Sequence, residues 1–145
     1  TLDRSSAASD VYKRQQIAIA GATLASLSDD AAQSPAREVV TGEIRFADQG
    51  RSRVMLQNRG IGHVYADAVT GRFLGAELVG PRVEHLGHLL AWAHQQELTI
   101  EQMLAMPFYH PVVEEGLRTA LRDAASKTRV AGPSPETPND PRRET

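Results

Sequence analysis

The chain has 145 residues, 41% of them apolar, and a formal charge of −2; that suits one domain with a real core and gives no case for nucleic acid. It contains no cysteine, which removes disulfides, thiolate metal sites and cysteine nucleophiles. No apolar run approaches the roughly 20 residues of a membrane span, and the N-terminus lacks the basic-then-apolar pattern of secretion, so no membrane partner and a cytoplasmic location are expected.

Residues 1–15 are polar, lack periodicity and include no initiating Met. They are expected to be a disordered or artefactual leader, and the missing Met suggests a fragment. Gln16–Gly21 alternates large and small apolar residues and predicts a first strand ended by glycine. Thr23 can cap a short helix through about Ala32, with Ser26 at the N3 position, and Pro35 closes it. Arg37–Phe46 alternates again and predicts a second strand. In 47–60, Gly50-Arg-Ser-Arg reads as a turn leading into Val54-Met55-Leu56. Arg51, Arg53 and Arg59 are either a solvated face or an anion site.

Ile61–Ala66 and Arg72–Val79 are β-rich runs bridged by Asp67-Ala-Val-Thr-Gly71, which predicts a hairpin. Pro81 is expected to start a helix of about fifteen residues. Its apolar positions Val83, Leu86, Leu90 and Ala93, with Leu89 and Trp92, recur at helical spacing. The same helix carries Glu84, His85, His88 and His94. Its i, i+3 and i, i+4 spacings could begin a metal site, but no further convergent ligand is visible and one helix cannot close a tetrahedron. No metal is expected, and these residues read as a polar edge or a subunit interface. Thr99-Ile-Glu-Gln102 is a capping box that opens a short helix to about Met106, stopped by Pro107. A helix from Pro111 to about Ala125 would face Val113, Leu117, Ala120, Leu121 and Ala124 to the core. Residues 126–145 contain Pro133, Pro135, Pro138 and Pro141 among polar residues and are expected to be a disordered tail. The pattern predicts an α+β fold with an antiparallel sheet of four or five strands packed by helices on one side.

Most of the chemistry is concentrated in Pro107-Phe-Tyr-His110-Pro111-Val-Val-Glu114-Glu115. On one continuous helix His110 and Glu115 would point about 140° apart. Pro111 suits a first helical position and pushes the preceding residue out of the α region. With His110 outside the helix, a carboxylate–imidazole hydrogen bond becomes available, which fixes the tautomer and raises basicity. Spacing alone leaves His110 as either such an acid/base or a loop histidine bonded to backbone. No strand–Gly-rich–helix phosphate fingerprint is present; Gly60-Ile-Gly62 lacks the third glycine.

Three stretches together carry a resemblance: His110-Pro-Val-Val-Glu-Glu-Gly-Leu-Arg-Thr-Ala-Leu121, Thr70-Gly-Arg-Phe-Leu-Gly-Ala-Glu-Leu-Val-Gly80, and Glu84-His-Leu-Gly-His-Leu-Leu-Ala-Trp-Ala93. In order and spacing they resemble the C-terminal dimerisation (interface) domain of the pyridine nucleotide-disulfide oxidoreductases, or flavoprotein disulfide reductases, most nearly the dihydrolipoamide dehydrogenase branch. The resemblance runs from about Gln16 to Asp123. It implies a full-length oxidoreductase with FAD and NAD(P) domains and a redox disulfide upstream, neither cofactor being bound by this chain alone. It also implies a C2 homodimer in which His110 enters the other subunit's active site as acid/base toward a dithiol or disulfide such as lipoamide. Glu115 would orient the ring, and His110 and Pro111 would be the cofactor-contacting residues. Val112 and Phe108 depart from the Thr and second His often found in the family, and no C-terminal cysteine pair follows, which argues against mercuric reductase. The alternative is a stand-alone homodimerisation module without catalysis.

Overall fold

The computed structural model describes residues 16–33 and 37–130. The expectations for residues 1–15, for Pro35 and for 131–145 lie outside them. Four strands, β1 (Gln16–Gly21), β2 (Val39–Arg45), β3 (Ile61–Asp67) and β4 (Phe73–Gly80), form one antiparallel sheet in the order β1-β4-β3-β2. The predicted hairpin is β3–β4. The Asp67 carboxylate closes its turn by accepting from the Val69 and Thr70 amides at 2.9 and 2.8 Å.

Helices cover mainly one face, as the alternation of the strands requires. α3 (Val83–Gln95) buries Val83, Leu86, Leu90 and Ala93, and α5 (Glu115–Ala125) buries Leu117, Ala120, Leu121 and Ala124. They close over Ile44, Val64, Ala76 and Leu78 from the strands. Gly42 makes the close approach of α5 to β2 possible, because a Cβ there would lie 2.0 Å from the Ala120 carbonyl oxygen. A register shift beside Tyr65 and Ala66 turns Leu74 to the opposite face, where Leu74, Tyr65 and Leu27 of α1 (Leu24–Gln33) form a second small cluster.

Several boundaries differ from the sequence expectation. β2 ends at Arg45, and Phe46–Asp48 forms a 3₁₀ turn that buries Phe46 completely. Gly50–Val54, expected as a turn, is a one-turn helix, α2, capped by the Gln49 side chain. α3 starts at Val83 and not at Pro81, because Arg82 adopts a left-handed conformation (φ 54°) that turns the chain from β4 over the sheet. Leu89 and Trp92 stay exposed on the outer side of α3. The capping box is present at the start of α4 (Ile100–Ala105), with Thr99 and Gln102 bonding each other's backbone amides. Beyond α5, Arg129 docks back on the sheet: its amide donates to the Ala68 carbonyl at 2.7 Å and its guanidinium pairs with Glu38. Among the described residues no helix is long and apolar enough to cross a membrane.

The β2 edge of the sheet is closed by side chains. On β2 the outward Glu43 amide donates to Asp123 Oδ2 at 2.9 Å and the Thr41 carbonyl accepts from Lys127 Nζ at 2.6 Å. Asp123 and Lys127 are themselves paired, so α5 closes that edge with side chains.

Candidate functional site

His110 and Glu115 come together. His110 Nδ1 and Glu115 Oε1 are 2.8 Å apart, and Glu115 Oε2 accepts from the Val112 amide at 3.2 Å. The route to this geometry differs from the expected one. α5 begins at Glu115, and Pro111 lies upstream in a turn instead of at the first helical position. The physical reason is that the backbone groups of Val112 are satisfied outside any helical ladder: its amide by Glu115, its carbonyl by Gln49 Nε2 at 2.8 Å. The His110–Pro111 peptide bond is cis.

The hydrogen bond with His110 is the largest influence on the Glu115 carboxyl. Together with the Val112 amide it holds Glu115 below the usual carboxylate range against the opposing effect of burial. An ionised carboxylate only accepts, so Nδ1 of His110 must carry the donated hydrogen. In the neutral ring that leaves Nε2 bare. The His110 side chain is 79% exposed, and Nε2 has no partner among the described residues. The site is therefore an oriented imidazole whose free nitrogen faces outward, able to take or give a proton from a group that this chain does not itself supply.

The approach to His110 is held from below. Phe108 packs against the core, and the Arg118 guanidinium lies 5.5 Å from its ring centroid. Gly116 lets α5 sit close, since a Cβ there would lie 2.0 Å from Ile44 Cδ1 and 3.2 Å from Gln49 Cγ. Gln49 and its bond to Val112 escaped sequence reasoning, because no local pattern links a residue of the 47–60 segment to the His–Pro turn. The one signal was a polar residue ahead of a short helix.

The other candidates stay apart. Among the described residues no three His, Cys, Asp or Glu side chains converge for a metal. His88 meets Trp92 edge-on with ring centroids 4.7 Å apart, His94 meets Phe73 likewise at 6.3 Å, and His85 lies 3.5 Å from Glu84. Arg51, Arg53 and Arg59 are exposed, and none of them lines the groove that Gln49, Glu115, Arg118 and Arg122 border. The described sheet is wholly antiparallel, without the parallel strand–loop–helix unit that cradles a dinucleotide pyrophosphate. FAD and NAD(P) do not fit it as a binding fold; Pro111, like His110, is simply exposed at the tip of a turn.

The fold and the pair define an α+β domain that displays a carboxylate-oriented histidine. A sequence model of the pyridine nucleotide-disulphide oxidoreductase dimerisation domain matches residues 7–121, starting within the polar segment 1–15, and the chain belongs to that family. It is 31% identical over 113 residues to a dihydrolipoyl dehydrogenase of Rhizobium etli, covering 78% of this chain and 22% of that protein. With the dihydrolipoyl dehydrogenase of Chlorobaculum tepidum it shares 29% identity over 114 residues, covering 79% and 23%. The chain thus spans between a fifth and a quarter of the length of these relatives. Among solved structures, an HOCl-induced flavoprotein disulfide reductase from Escherichia coli shares the fold with a TM-score of 0.64 at 22% identity, over 73% of this chain and 23% of that one.

Proposed function

We propose that this chain is the C-terminal dimerisation part of a cytoplasmic FAD- and NAD(P)-dependent dithiol–disulfide oxidoreductase of the dihydrolipoyl dehydrogenase kind, and that it supplies His110 to the active site of the partner subunit. The observation that carries the reading is the 2.8 Å His110–Glu115 hydrogen bond on a ring that is otherwise exposed. A ring oriented with such care and left facing outward suits a group that acts on something docked against it. Leu89 and the 61% exposed Trp92 on α3 support a partner surface as well.

In this role Nε2 removes a proton from a substrate thiol. The thiolate so formed is the species that attacks a disulfide sulfur. The ring then carries protons on both nitrogens, and the ionised Glu115 at Nδ1 stabilises that imidazolium. In the reverse direction Nε2 returns the proton to the leaving thiolate. Flavin and nicotinamide, held by other parts of a full-length protein, would supply the electron transfer, and His110 and Pro111 are the residues of this chain that would face them.

Turnover of the full-length protein with dihydrolipoamide tests this. His110→Ala should lower it by about 10²–10⁴-fold, the ordinary contribution of a general acid/base, and Glu115→Gln should lower it less. Unchanged turnover in His110→Ala would remove the assignment. Light scattering on the chain tests self-association, and a folded monomer at high concentration would count against the dimer.

A further inference from the structure

We infer that Gln49 is a positioning residue for His110, acting through Val112 and Glu115. This rests on the reading of His110 as an acid/base and adds a residue that lies outside the His–Pro turn altogether.

Gln49 is a polar side chain only 9% exposed. Its carboxamide uses both ends. Oε1 accepts from the Ser52 amide at 2.7 Å, and Nε2 donates to the Val112 carbonyl at 2.8 Å. A backbone amide can only donate and a carbonyl can only accept, so the two partners fix which end of the carboxamide is which. Val112 is then held on both sides, its carbonyl by Gln49 and its amide by Glu115 Oε2. The other oxygen of Glu115 takes His110 Nδ1. A chain of hydrogen bonds therefore runs from α2, an element anchored against the end of β2, to the exposed imidazole. Without it Glu115 would still sit on α5 and hold the Val112 amide, but nothing outside α5 would fix the Val112 carbonyl. Gln49 Cγ lies close beneath Gly116, where a Cβ would come within 3.2 Å of it.

Carbonyl oxygens near a turn are easily satisfied by water, so a buried carboxamide is not needed merely to fill the Val112 acceptor. Its use is to select one conformation of the turn, in which Glu115 can hold the hydrogen of His110 on Nδ1. Free histidine side chains favour the hydrogen on Nε2, so the tautomer reports whether the turn is held, independently of stability.

The test is ¹⁵N spectroscopy of the His110 imidazole in the 145-residue chain, at a pH where the ring is neutral. The native chain should show Nδ1 protonated and Nε2 bare. Glu115→Ala should move the population to the Nε2–H form. Gln49→Met, which removes both hydrogen bonds, and Gln49→Glu, which keeps the acceptor for Ser52 but cannot donate to Val112, should both shift it in the same direction. Leu27→Ala, in the separate cluster on the opposite sheet face, should lower the melting temperature and leave the tautomer alone. If Glu115→Ala changes the tautomer and both Gln49 variants match the native chain, the role given to Gln49 is overturned and the His–Glu pair stands. If Glu115→Ala leaves it unchanged, the pair itself fails. Should neither Gln49 variant fold, a through-hydrogen-bond coupling between Gln49 Nε2 and the Val112 carbonyl in the native chain decides: its presence supports the assignment and its absence overturns it.

Discussion

The helix-covered face of the sheet and the turn that carries His110 sit side by side but are held by different forces. Under α3 and α5, side chains such as Leu86, Leu90, Ala120 and Leu121 are fully withdrawn from water, and their stabilisation scales with apolar area, at about 25 cal/mol per Å². The turn has little area to bury. Tyr109, His110 and Pro111 are exposed between the core-packed Phe108 and the buried Val113, and three hydrogen bonds, from Gln49, Val112 and His110, hold them. Apolar burial is insensitive to direction, whereas a hydrogen bond fixes an angle as well as a distance. The domain thus gains stability from one region and places a ring with the other, and changes in the two should have separable consequences.

The largest loss is expected in the core. Leu121→Ala removes a fully buried side chain and should destabilise the fold by about 2–5 kcal/mol, read from thermal or urea unfolding. A smaller but more specific effect is expected where α5 closes the β2 edge. Asp123→Ala leaves the part-buried Glu43 amide without its acceptor, at a cost of about 1–3 kcal/mol, and uncovers that strand-edge donor. Concentration-dependent aggregation above that of the native chain is expected as well. A variant as stable and as soluble as the native chain would show that the edge needs no cover.

What the sequence revealed divides along the same line. Local signals read true: the β3–β4 hairpin from its Asp67–Gly71 turn, the Thr99–Gln102 capping box, and the buried stripes of α3 and α5 from their helical period. Each is decided by residues within a turn or two of one another. The His110–Glu115 contact was legible for the same reason. The start of α5 was not, because the 111–114 segment is bonded to Gln49, a residue remote in sequence. Periodicity also could not separate Leu89 and Trp92 from the buried stripe they flank, since which side of a helix meets the sheet is decided by the sheet. The one-turn helix at Gly50–Val54 resembles a turn in the sequence because it is short and its cap is a Gln, an uncommon capping residue.

Acid titration distinguishes the two regions by one variable. Glu77 belongs to the scaffold. One of its oxygens accepts from the Leu24 amide at the start of α1 at 2.9 Å and from the Tyr65 hydroxyl at 2.7 Å. These bonds, the Leu24 amide foremost, hold its carboxyl below the usual range, while burial and, after it, the same carboxylate push the Tyr65 hydroxyl up. Glu115 is lowered too, chiefly by His110. A carboxyl lowered on folding contributes stability that is fully present above its unfolded value, and the contribution is lost as pH falls through the folded value. Both contributions should therefore be intact at neutral pH and disappear below the ordinary carboxylate range. Their loss should appear in different places. Protonating Glu77 releases the start of α1 from the sheet, so Glu77→Gln should flatten part of the fall in melting temperature with acid. Protonating Glu115 releases the turn, so Glu115→Gln should remove its own share of that fall and also alter the ¹⁵N signals of His110, whereas Glu77→Gln should leave those signals alone. A change in the His110 signals in Glu77→Gln would mean that the turn and the start of α1 behave as one unit.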